Sequence, residues 1–76
     1  MARDSRSKDI VAEMAANVMT VPVAVGQRIE AGETVVLLES MKMEIPVLSE
    51  ASGTVLDLAV TEGDVVQEGD LIAVIG

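Results

Sequence analysis

Thr34-Val35-Val36-Leu37-Leu38-Glu39-Ser40-Met41-Lys42-Met43-Glu44-Ile45-Pro46-Val47-Leu48 lies at the middle of a 76-residue chain. Two apolar runs, Thr34 to Leu38 and Ile45 to Leu48, face each other across a short polar gap. That spacing predicts a β-hairpin turning at Met41-Lys42. Two-residue hairpin turns favour positive φ at both central positions, hence the usual Asn-Gly or Asp-Gly. This chain uses glycine at its other turns and withholds it here. A local rule broken in this way points to a functional site, with Lys42 at its apex.

Outward from the hairpin, Val, Ile and Leu come in short runs separated by Gly-polar pairs, which predicts many short strands and a sandwich or barrel. The predicted strands are Ile10–Met14, Val18–Val23, Arg28–Glu30, Val35–Ser40, Met43–Ser49, Thr54–Val60, Val65–Gln67 and Leu71–Ile75. Met19, Val21 and Val23 alternate with Val18, Thr20 and Pro22, the period of a strand. No window keeps a helical stripe without a Gly or Pro interrupting it. A shift of 37 positions (63 − 26) lays Gly26 on Gly63, Gly32 on Gly69, Val18 on Val55 and Val23 on Val60. Ile29 then falls on Val66, Val35 on Ile72 and Leu38 on Ile75. Neither half, Ile10–Glu39 or Val47–Gly76, can bury a face alone, so the two should pack about a pseudo-two-fold axis. The linker between them holds Lys42, and the chain ends are expected at the opposite pole.

Composition narrows the function classes. There is no cysteine and no histidine, which removes disulfides, thiolate metal sites and the commonest general base. Without Phe, Tyr or Trp the chain has no stacking platform for nucleic acid bases. A net charge of −8 argues against nucleic acid and anionic membrane partners. No apolar run reaches the length of a bilayer span, and the start is polar where a signal peptide would be apolar, so a cytoplasmic protein is expected. Residues 1–9 have mixed charge and no periodicity, and are expected to be a disordered tail before a single domain at 10–76. Lys8 and Lys42 are the only lysines, so the expected domain offers an amine-directed enzyme one target.

Glu39-Ser40-Met41-Lys42-Met43 resembles the attachment signature of biotinyl domains, the carrier modules of biotin-dependent carboxylases. The resemblance covers Ile10 to Gly76. Gly53-Thr54-Val55 and Gly63-Asp64 match later segments of the family pattern. Ala12-Glu13-Met14-Ala15-Ala16-Asn17-Val18 stands where the family usually shows Pro-Met-Pro-Gly, losing both prolines and the glycine, and Glu50 stands where a proline is common. These departures loosen turns and leave the hairpin untouched. Nothing between Val18 and Val25 could form the protruding thumb of some bacterial carriers, and the chain looks like the small, free-standing members.

The resemblance implies an all-β, flattened barrel-sandwich hybrid of two antiparallel sheets, acting as a monomer. It implies covalent biotin on Lys42, with Met41 and Met43 beside it and Glu39, Ser40 and Glu44 read by the ligase or other partners. A lysine amine is almost wholly protonated at neutral pH, so acylation needs an enzyme that activates the acyl group. The implied enzyme is a biotin protein ligase, and the implied later partners are the biotin carboxylase and carboxyltransferase of an acyl-CoA carboxylase system, as in fatty acid metabolism. The chain itself would be substrate and carrier, shuttling carboxybiotin, with no catalytic group and no metal. Two other readings stay open: a biotinylated interaction or regulatory module without a carboxylase role, and a lipoyl carrier, whose hairpin typically reads Asp-Lys-Ala.

Overall fold

The computed structural model describes residues 7–76, which form eight strands and no helix. In chain order these are β1 (Lys8–Val11), β2 (Ala16–Thr20), β3 (Arg28–Ile29), β4 (Thr34–Ser40), β5 (Met43–Leu48), β6 (Gly53–Leu58), β7 (Val65–Val66) and β8 (Leu71–Ile75). They pair antiparallel into two four-stranded sheets, ordered β1-β8-β6-β3 and β5-β4-β2-β7. All eight predicted strands are present, with ends moved by a few residues. β2 stops before Pro22, which fixes its own φ and offers no N–H to a ladder. Pro46 sits inside β5, an edge strand with only β4 beside it, where a missing donor leaves no pairing unmade.

Moving each strand of one sheet by 37 positions reproduces the order of the other: β1 becomes β5, β8 answers to β4, β6 to β2, and β3 becomes β7. Hydrogen bonds repeat in the same way. Gly26 N–H donates to the Val55 carbonyl at 2.8 Å, and Gly63 N–H to that of Val18 at 2.9 Å. Gly32 N–H donates to the Ser49 carbonyl and Gly69 N–H to that of Ala12, both at 2.8 Å. The bulge between Val18 and Thr20 recurs between Val55 and Asp57. Gly26, Gly32, Gly63 and Gly69 all have φ of 90–92°, the conformation that glycine adopts without steric cost. The residue after each glycine closes its turn. Gln27, Glu33, Asp64 and Asp70 accept through side-chain oxygen from the N–H three residues back, at 2.8–3.1 Å. The Gly-polar pairs visible in the sequence are therefore turn chemistry.

Each half contributes two strands to each sheet, so the halves interlock rather than stack. The core is built of matched pairs: Val18 with Val55, Val23 with Val60, Ile29 with Val66, Val35 with Ile72, and Leu38 with Ile75, all buried. Each such side chain contributes about 1.5–3 kcal/mol on burial. A bulge between Thr34 and Val36 turns Val35 and Val36 both inward, which simple alternation forbids.

The expected tail at residues 1–9 needs correction. Its first six residues lie outside the described residues, but Lys8 and Asp9 belong to β1, paired with Ile75 and Val74 of β8. Edge-strand pairing is made by the backbone and needs no apolar side chain, and exposed charge on an edge limits further pairing. Thr54 N–H donates to the Gly76 carbonyl at 2.7 Å, and Lys8 lies opposite Ile75, so the first and last described strands meet beside the start of β6. The six residues of β5 carry the chain from the hairpin toward that end.

Candidate functional site

Ser40 pairs with Met43 and Glu39 with Glu44, so β4 and β5 are joined by Met41 and Lys42 alone. Met41 has φ of 53° and Lys42 of 65°. Among the described residues these are the only non-glycine positions with positive φ. Both lie in the left-handed region, as a primed two-residue turn demands, although an L side chain is disfavoured there. The register of β4 on β5, held by buried Val35, Val36 and Leu38, imposes that conformation.

The turn thrusts its side chains into solvent. Met41 is 92% exposed and Met43 63%, and Lys42 is exposed with no hydrogen bond or ion pair among the described residues. The second lysine, Lys8, lies on β1 near the chain ends, so the two amines occupy different places in the fold. A free, solvated amine on a two-residue turn can enter the active site of another protein.

All six residues singled out in the sequence, Glu39 to Glu44, come together on this one hairpin. The structure adds residues from elsewhere in the chain. Asn17 of β2 lies opposite both Glu39 of β4 and Val65 of β7, so Val65, Asn17, Glu39 and Glu44 form one row across the sheet. Glu39 and Glu44 place like charges directly opposite each other, an arrangement that opposes strand pairing. Beside the row an open depression is bordered by Ala15, Ala16, Asn17 and Val65 on one side and by the hairpin, including Lys42, on the other. No local sequence pattern marks Asn17 or Val65, because β2 and β7 meet only through the long-range pairing. A second groove, of about 250 Å³, lies between edge strands β1 and β5, and neither turn residue lines it.

No helix long and apolar enough to cross a membrane occurs among the described residues. The family model for biotin/lipoyl attachment, described as biotin-requiring enzyme, matches residues 7–75. A biotinylated protein TB7.3 homolog of Mycobacterium leprae is 54% identical over 69 residues, covering 91% of this chain and 97% of the relative. The biotin-dependent acyl-coenzyme A carboxylase alpha3 subunit of the same organism is 41% identical over 64 residues, 84% of this chain and 11% of that subunit. Among solved structures, the urea carboxylase of Kluyveromyces lactis matches the whole chain with a TM-score of 0.90 and 33% identity, although the match spans only 7% of that enzyme. The lipoyl domain of the 2-oxoglutarate dehydrogenase complex from Azotobacter vinelandii matches 88% of this chain and 95% of its own, with a TM-score of 0.73 and 25% identity. With two interlocked sheets, a 37-residue repeat and a lysine on a strained hairpin, this chain belongs to the biotin/lipoyl attachment family, whose cofactor here is biotin.

Proposed function

We propose that this chain is a biotin carrier, acylated on Lys42 by a biotin protein ligase, that serves the biotin carboxylase and carboxyltransferase of an acyl-CoA carboxylase type system. The observation that carries the reading is the exposed, unpartnered Lys42 amine on a turn held by six register pairs between β4 and β5. Those residues fit the group: the amine is open to an activated acyl donor, and nothing of the fold must move for the bond to form. Bound biotin supplies a ureido nitrogen that takes up and releases a carboxyl group.

The chain's residues provide everything else by position. Lys42 holds the tether, and the rigid hairpin beneath it sets where the tether begins. Attachment confines the group near successive partner sites, which raises its effective concentration there without any new contact. Met41 and Met43 are unbranched and adaptable, suited to a surface that several partners must read. Glu39, Ser40 and Glu44 give the ligase a polar and charged flank. Likeness of this chain to a segment of each of two carboxylases supports those partners.

The test is acylation by a biotin protein ligase with ATP and biotin, read by intact mass and avidin blot on the wild type and on Lys42→Arg. One biotinyl group on the wild type and none on the variant is the expected result. Labelling of Lys42→Arg would refute the assignment. A lipoyl group on protein recovered from its native cell would favour the lipoyl reading instead.

A further inference from the structure

The depression beside the hairpin is bordered by residues to which simple display of a lysine gives no task. Exposed Ala15 leaves it open because its side chain is small, Ala16 borders it, and Lys42 lies on its rim. Val65 is 65% exposed, an apolar wall that the core does not use. Asn17 is exposed between buried Ala16 and Val18, so its side chain faces outward, and it makes no hydrogen bond among the described residues. A carboxamide offers two donors and an acceptor. A cyclic urea offers N–H donors and a carbonyl acceptor on one edge, which is the complementary set.

We propose that Asn17 and Val65 form a resting site for the ureido ring system tethered at Lys42, with the Asn17 amide meeting the urea and Val65 the apolar remainder. The proposal rests on Lys42 being the attachment point. The site lies within the tether's compass, since β2 is the strand next to β4 and adjacent strands are about 4.8 Å apart. Attachment by a short flexible arm supplies an effective concentration of about millimolar, so a contact far too weak to capture free biotin is populated once the group is covalent. The consequence is a competition: a partner active site must bind the ring better than Asn17 and Val65 do before the ring leaves.

The experiment compares backbone and side-chain amide NMR spectra of the full chain before and after biotinylation, with intact mass confirming one added group. The expected result is that Ala15, Ala16, Asn17 and Val65 shift together with Ser40 to Glu44, and that the Asn17 side-chain amide shifts as well. In biotinylated Asn17→Ala the shifts at Ala15, Ala16 and Val65 are lost while those at Ser40 to Glu44 remain. Micromolar free biotin added to Lys42→Arg moves none of them. Shifts confined to Ser40 to Glu44 in fully biotinylated wild type would overturn the resting site and leave the carrier reading intact. Remote shifts that persist in Asn17→Ala would overturn the role of Asn17. A protein that gains no biotinyl mass would remove the reading beneath both.

Discussion

Replacing Met41 by glycine should make the protein more stable and a worse ligase substrate. An L residue in the left-handed region costs about 1–2 kcal/mol. Glycine escapes that cost but adds freedom to the unfolded chain, worth about 0.4–1 kcal/mol against it. Met41 is 92% exposed, so its removal forfeits almost no burial. The balance is a gain of about 0.5–1 kcal/mol, which for a domain of this size raises the melting temperature by roughly 2–8 °C. Met41→Ala is the control, because alanine keeps the strain at φ of 53° and should melt with the wild type. Circular dichroism melts of the three unmodified proteins give the stability, and initial biotinylation rates by one ligase give recognition. The strain argument fails if Met41→Gly melts at or below the wild type, or if Met41→Ala rises equally.

Other perturbations bear on the repeat and the site. Lys42→Arg should change stability by no more than about 0.5 kcal/mol, since the side chain is exposed and unpartnered, and chemical denaturation checks this. Gly26→Ala and Gly63→Ala each meet nothing within 4 Å, so backbone strain alone should destabilise them, by about 1–2 kcal/mol each. Urea titrations that separate the two by more than that amount would deny the equivalence of the halves. Mild peroxide should convert Met41 and Met43 to sulfoxides before half-buried Met19, slowing biotinylation with little change in melting temperature. Peptide mass mapping beside rate measurement tests this, and Met41→Leu/Met43→Leu should keep its rate after the same treatment.

Much of the architecture was legible because its signals are local. β-branched runs, the Gly-polar pairs and the absence of glycine at Met41-Lys42 each report on a few neighbouring residues, and the spacing of Gly26 and Gly63 reports the repeat. What could not be read depends on pairing between distant segments. Alternation says which side chains turn inward but not which sheet a strand joins, so the interlocking of the halves was invisible. The bulge that buries both Val35 and Val36 defeats alternation outright. Lys8 and Asp9 look like tail because an edge strand gains its order from the β8 backbone. Asn17 and Val65 belong beside Lys42 only because β2 pairs with both β4 and β7, and neither residue advertises that in its own surroundings.

The repeat also accounts for where the strain sits. Every turn built on Gly26, Gly32, Gly63 or Gly69 has a mate 37 residues away, with matched hydrogen bonds, and glycine meets its positive φ. The Met41-Lys42 turn lies outside both repeated units, between Glu39 and Val47. It is the joint between two copies, so its residues can change without an answering change in the other half. Glycine at Lys42 would relax the backbone and abolish the amine, and any side chain there must accept φ near 65°. A lysine survives at that position because the paired strands on either side hold the turn against its own preference. The strength of that grip is what the Met41→Gly melt measures.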